Sequence, residues 1–242
     1  MIIVNCEQRS PEWFSARLGI PTASSFSRIV TSQGELSKQA AAYMLQLVRE
    51  WYTGKPEPTF VSEWMIRGAE MEPEALAYYE RQTGRHAVSV GFVFKDERRL
   101  VGCSPDGLFL ADESGGEIKC PSPAVHLRYS KRGEIPAEHI AQVQGQMWIT
   151  GAAEWTWISY HPDHPAVILT VQRDEGFIER LEQTVEAFVT EMLKQRKLHL
   201  RTTRAAMRRR TRMQGLYNRQ AAMRLRYQKT GTPARARRST TY

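Results

Sequence analysis

Apolar and polar positions follow two rhythms along this chain, and the switch between them divides it into helical and extended stretches. Between Lys38 and Tyr52 the residues Tyr43, Leu47 and Trp51 recur every four positions, which places them on one face of a helix. A second long helix is predicted from about Ser62 to Thr83, closed by Gly84. Shorter helices are predicted over Glu12–Leu18, stopped by Gly19, and over Ser25–Val30, capped by the hydroxyls of Thr22, Ser24 and Ser25. The period then falls to two. His86–Phe94 and Leu100–Cys103 are predicted strands, as are Trp155–Tyr160 and Val167–Val171 on either side of a loop, His161–Pro165. The chain turns helical after Pro121 and again over Pro136–Ile149. A last helix runs from Asp174 to about Lys197, with Phe177, Leu181, Val185, Phe188 and Met192 along its inner side. Helices, strands, two helices, strands and a helix make an α/β (α+β) layout, a mixed central sheet flanked by helices.

At the centre of the pattern lies Ser104–Pro121. Pro105-Asp106-Gly107 is a turn signal, and Leu108–Leu110 can pair back on Gly116–Cys120 through a turn at Asp112–Gly115. That pairing brings Asp106 beside Glu117. Because side chains alternate along a strand, Glu117 and Lys119 share one face while Ile118 points the other way into a core. Two neighbouring carboxylates repel, and Mg²⁺ relieves this by taking one or two carboxylates together with phosphate oxygens. A lysine beside them can orient an attacking water and stabilise developing negative charge. The plainer alternative is a turn-forming Asp106 and an ion pair between Glu117 and Lys119 on an exposed strand.

Three further groups have similar double readings. Arg17 with the hydroxyls at Thr22, Ser24 and Ser25 could bind an anion at a helix start, or could be a surface arginine beside ordinary caps. Glu72 lies on the second long helix with Gly68 four residues before and Ala75 three after, which leaves room for a ligand. The sequence Glu70, Glu72, Glu74 also fits a solvated face. Gln142 and Gln146 are four apart and share a helix face, suited to holding water or phosphate, or simply to meeting solvent. His161 and His164 flank Pro162-Asp163, where a metal site is conceivable and plain exposure is commoner.

Composition bears mainly on compartment and partners. The chain has 242 residues, 41% of them hydrophobic, enough for one domain with an extension. No stretch reaches eighteen apolar residues, and Met1–Arg9 lacks the layout of a signal peptide, so a cytoplasmic setting without membrane contact is expected. Cys6, Cys103 and Cys120 are too few and too scattered for a disulfide framework, and argue against an iron–sulfur cluster. Charge is divided unevenly. From Arg196 onward there are 15 Lys or Arg and no acid; of 34 bases this leaves 19 against 26 acids in residues 1–195, a net of −7. The expected organisation is a domain at 1–197 and an arginine-rich extension at 198–242, helical over about Arg201–Lys229 and disordered over Gly231–Tyr242. Such an extension suits phosphate backbones.

The motifs together resemble the lambda-type phage exonucleases, the YqaJ-type viral recombinase family of the PD-(D/E)xK nuclease superfamily. The resemblance runs over roughly residues 10–195. It rests on Arg17-Leu18-Gly19 with Thr22-Ala23-Ser24, Gly68 and Glu72, Cys103-Ser104-Pro105-Asp106-Gly107, Glu117-Ile118-Lys119-Cys120-Pro121, and Ala141-Gln142-Val143-Gln144 ahead of Met147-Trp148. It implies a restriction-endonuclease-like core. It implies also that Asp106, Glu117 and the backbone carbonyl of Ile118 bind Mg²⁺, with Glu72 at a second ion or its waters, Mn²⁺ able to substitute, and Lys119 orienting the water. Gln142 would stand near that water or the scissile phosphate, and Arg17 with Ser24 would hold a 5′-phosphate. Asp96 matches an acidic position of no assigned role. The loop Thr31–Lys38 offers only Lys38 where the family can place an arginine. The implied activity is 5′→3′ degradation of one strand of linear duplex DNA, leaving a 3′ single strand. The implied setting is a homotrimer in a bacterial host's cytosol, phage or prophage encoded, working beside a phage single-strand annealing protein. The alternatives are a structure-specific or restriction-type endonuclease of the same fold, and a non-catalytic DNA-binding protein.

Overall fold

Strand β5 (Ser114–Lys119) lies inside the main sheet because all of its residues but Lys119 are buried. In the computed structural model, which describes residues 1–58 and 62–230, it pairs antiparallel with β4 (Gly107–Phe109) and parallel with β6 (Glu154–His161). β6 in turn pairs antiparallel with β7 (His164–Gln172), which completes a mixed four-stranded sheet. A parallel neighbour requires a crossover. Helices α4 (Pro123–Arg132) and α5 (Ala137–Thr150) supply it between β5 and β6. A second sheet joins β1 (Ile2–Val4), β2 (Phe92–Phe94) and β3 (Gly102–Cys103) in that order, all antiparallel. The α/β layout with a mixed sheet is therefore as the periodicities predict, with one difference: the strands are shared between two sheets.

The switch between sheets explains the shortened strand at His86–Phe94. Val88 exchanges two backbone hydrogen bonds with Leu108, 2.8 and 3.0 Å long, and so belongs to the β4 side. Phe92–Phe94 pairs instead with β1. One predicted strand thus serves two sheets and is broken between them. β1 itself carries only three apolar residues and is too short to stand out by period. Leu110, predicted as extended, begins a turn of 3₁₀ helix at Leu110–Asp112. The predicted loop His161–Pro165 contracts to a tight turn, with His161 opposite His164.

Helix α1 (Pro11–Arg17) starts where Ser10 accepts a hydrogen bond from the Trp13 amide and Pro11 presets the first turn. A 3₁₀ helix, Ala23–Arg28, replaces the predicted α-helix at Ser25–Val30. α2 (Ala40–Thr53) and α3 (Glu63–Thr83) follow, α3 being capped by Ser62 and closed by Gly84. The last helix, α6 (Glu175–Thr230), is continuous through the point at Lys197 where an end was predicted. After Gly176 in its first turn, no glycine or proline interrupts it before Gly215. The chain forms two compact units, 1–193 and 194–242. The expected disorder of Gly231–Tyr242 lies outside the described residues.

In the first unit one large core gathers Phe26, Ile29, Val143, Met147, Trp155, Trp157, Leu181 and Met192, and a smaller one gathers Ala75, Tyr79, Phe109, Ile118 and Ile158. The contact between α5 and the 3₁₀ helix is close because Gly145 faces the ring of Phe26: a Cβ there would stand 2.4 Å from Phe26 Cδ2. Gly145→Val is expected to lower stability by about 1–3 kcal/mol, the usual cost of overpacking a filled core. Urea denaturation measures it, and an unchanged midpoint would mean that Phe26 yields freely.

Candidate active site

The register of β4 on β5 builds the site. Gly107 lies opposite Gly116, so the next pair outward is Asp106 and Glu117. Asp106 is then fixed twice, its amide donating to the Gly116 carbonyl at 3.1 Å and its Oδ2 accepting from the Ile118 amide at 2.6 Å. Lys119, two residues from Glu117 on the same face, donates from Nζ to Glu117 Oε1 at 2.5 Å. Ile118 points the other way and is buried in the smaller core. Asp106, Glu117 and Lys119 thus stand together, as alternation and the turn signal predict.

Helix α5 supplies the rest of the polar frame. Gln142 Nε2 donates to Glu117 Oε1, and Gln146 Nε2 donates to Glu117 Oε2, both at 2.6 Å. Gln142 Oε1 also accepts from Lys119 Nζ at 3.2 Å. Both glutamines therefore face inward, and Gln146, which the resemblance does not assign, holds the carboxylate as directly as Gln142 does. Its spacing of four from Gln142 is the sequence signal for that role. Gln146 is buried, and its own Oε1 has no hydrogen-bond partner among the described residues. Such an oxygen is open to a donor from a bound water or ligand.

Withdrawal from water, then the charge of Glu117, raises the Asp106 carboxyl well above its ordinary range. Burial acts to lower the Lys119 amine, but Glu117 and Asp106 outweigh it and hold the amine above its usual value. Lys119 is accordingly a firm cation between two carboxylates, one of which resists ionisation. Among the described residues no three His, Cys, Asp or Glu side chains are arranged around one point. The donors that could hold an ion are the pair Asp106 and Glu117, which suits Mg²⁺, an ion that completes its octahedron with water and phosphate.

Glu72 is placed by α3. Gly68 lets this helix approach the end of β5, since a Cβ there would lie 3.2 Å from the Cys120 carbonyl. Glu72 Oε2 pairs with Arg9 Nη2 at 2.8 Å. Burial raises the Glu72 carboxyl, Arg9 opposes this, and Glu117 adds to it, so Glu72 lies within electrostatic reach of the pair. The segment before α1 is part of the same construction. Gln8 Nε2 donates to the carbonyls of Pro105, at 2.8 Å, and Val90, at 3.1 Å. Arg9 and Gln8 lack any local sequence signal for these contacts.

A second polar group forms around Arg17. Its guanidinium lies 4.0 Å from the centre of the Trp13 ring and donates to Thr22 Oγ1 at 3.5 Å, and Thr22 Oγ1 is 3.2 Å from Ser24 Oγ. Arg17 and Ser24 are thereby joined through Thr22, whose place in the hydroxyl cluster is visible in sequence. Burial lowers the Arg17 guanidinium, against Tyr43 and Glu50. Trp13 ties this group to the first: its Nε1 donates to Ser104 Oγ at 2.8 Å, two residues before Asp106. Arg28, which precedes the loop Thr31–Lys38, lies over Tyr43 and donates to Gln46.

Two other candidates have structural occupations. Asp96 binds Arg98, which reaches on to Glu186 of α6, and Arg98 holds the Asp96 carboxyl below its ordinary range. His161 and His164 pack with His126, their ring centres 5.1–6.1 Å apart. His126 Nε2 donates to the Pro165 carbonyl, and Nδ1 lies 2.8 Å from Ser159 Oγ.

The chain as a whole is similar to known proteins. A family model described as a YqaJ-like viral recombinase domain matches residues 12–153. No curated protein sequence matches the chain. Among solved structures, an alkaline exonuclease (LHK-Exo) from Laribacter hongkongensis is 32% identical, with a TM-score of 0.74 over 81% of this chain and 99% of that one. The same protein in complex with dAMP gives 0.73 over the same shares. A phage related exonuclease from Haemophilus somnus 129PT, 15% identical, gives 0.57 over 76% and 96% and shows likeness of fold alone. With the family model covering more than half of its length and a third of its aligned residues shared with a solved relative that it spans almost completely, the chain belongs to the YqaJ-like viral recombinase family.

Proposed function

We propose that this chain is a Mg²⁺-dependent 5′→3′ exonuclease acting on linear double-stranded DNA and leaving a 3′ single strand for phage-type recombination. The observation that carries the reading is the pair Asp106 and Glu117 beside a charged Lys119, linked through Trp13 and Ser104 to the Arg17 group. Membership of a viral recombinase family, and likeness to an alkaline exonuclease that has been seen with dAMP, support a nuclease that releases mononucleotides.

In this reading Asp106, Glu117 and the Ile118 carbonyl hold one Mg²⁺ and Glu72 serves a second, with Mn²⁺ able to replace them. The bound ions supply Lewis acidity and a more acidic water. Gln142 and Gln146 keep both oxygens of Glu117 aimed. Lys119 orients the attacking water and stabilises charge on the phosphate as the bond to the 3′ oxygen breaks. Arg17, Thr22 and Ser24 take the 5′-phosphate of the shortened strand, because a guanidinium with two hydroxyls matches phosphate oxygens. A cytoplasmic homotrimer beside a single-strand annealing protein is the proposed setting, on family grounds.

The same fold could serve an endonuclease, and a basic extension could serve a binding protein. Incubating the protein with 5′-phosphorylated linear, 5′-hydroxyl linear and covalently closed duplex, with and without Mg²⁺, separates the readings. Degradation only of linear DNA, only with metal and faster from a 5′-phosphate is expected. Arg17→Ala should remove most of the preference for phosphate, a bidentate contact being among the stronger hydrogen-bonded pairs. Cutting of closed circles, or no cutting with metal present, would overturn the proposal.

A further inference from the structure

We infer that the part of α6 beyond residue 200 is a second DNA-binding surface, which grips the duplex backbone without regard to sequence or ends. The inference rests on the nuclease reading for its substrate but not for its geometry. Within one continuous helix, residues 100° apart in projection fix which side chains share a face. Arg201, Arg204, Arg208, Arg212 and Arg219 fall within an arc of about 80° and make a stripe about 27 Å long. All five are exposed, and none forms an ion pair among the described residues. No acidic side chain follows Glu191 in the chain.

The exposed apolar residues decide between DNA and a protein groove as the occupant. Leu198, Leu200, Met207, Met213, Leu216 and Tyr217 are all more than a third exposed. On the same projection they spread over about 200° and none enters the arginine arc. A helix that docks in an apolar groove presents its anchors at i, i+3, i+4 and i+7 on one face. Here it is the charge that forms the stripe and the apolar residues that scatter. A ladder of cations on one face complements a duplex backbone, which carries a phosphate charge every 1.7 Å or so of its axis. Residues 1–195, at a net −7, are repelled by that backbone and gain most from such a surface. Its consequence for function is retention: the enzyme stays on the duplex while the active site advances from the end.

The test uses the full-length protein, metal-free buffer with chelator, and a covalently closed duplex that offers no 5′ end. Binding is measured across a salt series for wild type, a fivefold Arg→Gln variant at positions 201, 204, 208, 212 and 219, the matching fivefold Arg→Lys variant, and R209Q/R210Q, which lies off the stripe. Each neutralised phosphate contributes a slope of about 0.9 in log affinity against log salt. Full engagement therefore predicts that, between 50 and 200 mM salt, wild type loses about 500-fold more affinity than the Gln variant. The Lys variant should keep the wild-type slope, and circular dichroism should show equal helix content in all. Cleavage of a short linear duplex at saturating protein should be unchanged. An unaltered slope in the Gln variant would overturn the inference and turn the surface towards an acidic protein. An equal loss per charge in R209Q/R210Q would also overturn it, since diffuse charge would then suffice. Failure of the nuclease reading is seen separately, as absent cleavage of linear DNA by wild type with Mg²⁺.

Discussion

Asp106→Asn is expected to abolish cleavage while making the metal-free protein more stable. Activity should fall more than about a thousandfold, beyond the loss of a single stabilising donor, because the change deletes one of two carboxylates that would hold the ion. Stability should move the opposite way. The Asp106 carboxyl is raised by burial and by Glu117, so between the ordinary carboxylate range and its folded value the native state binds more protons than the unfolded chain. Stability then declines as pH rises through that window, so that ionising Asp106 burdens the fold. The neutral amide removes this burden and can still accept from the Ile118 amide through its oxygen. Mg²⁺ should reverse the ranking. At about a hundred times its Kd the ion stabilises wild type by about 2.7 kcal/mol, and the variant hardly at all. Thermal melting with chelator and with Mg²⁺, alongside a nuclease assay, reads both signs. A variant that melts earlier than wild type in chelator would show that Asp106 acts as a structural turn residue. Glu117→Gln should lose activity equally without the gain, because its new amide would confront the donors Lys119, Gln142 and Gln146.

Lys119→Met should slow cleavage by about a hundredfold or more, the scale on which one electrostatic or proton-transfer group contributes. Its surroundings argue against a purely structural role. Glu117 already accepts from two glutamines at 2.6 Å, so removing Lys119 leaves both carboxylate oxygens hydrogen-bonded and the fold only modestly affected. The amine is held charged by Glu117 and Asp106 together, and in the proposed reading it faces the substrate phosphate. The informative measurement is the single-turnover rate at saturating metal beside DNA affinity. A rate near wild type would reduce Lys119 to a surface partner of Glu117. A loss of binding with an unchanged rate would place its effect before the chemical step.

Much of the candidate site is legible in the sequence because it is local. Asp106 and Glu117 are eleven residues apart, a turn signal lies at one end and alternation fixes the faces, so their meeting follows from strand geometry alone. The same holds for Glu117 with Lys119 and for Gln142 with Gln146, whose spacings of two and four are the periods of strand and helix. The arginine stripe is latent in the spacing too, but only an unbroken helix turns it into a surface. What alternation and period could not settle is what each face meets. That Gln146 points at Glu117 depends on how α5 docks in the fold, which a helical period alone leaves open.

Contacts between distant parts of the chain had no sequence signal at all. Gln8 holds the Pro105 carbonyl across 97 positions, and Arg9 holds Glu72 across 63. Each is a single polar contact with no repeating pattern behind it. The division of the strands between two sheets is of the same kind, because Val88 and Phe92 have equal claims to extended backbone and differ only in the neighbours that reach them. Period and turn chemistry determined most of the elements and which of Asp106, Glu117 and Lys119 share a face. The docking of those elements determined its frame, because close packing selects among faces that an isolated helix or strand leaves equivalent.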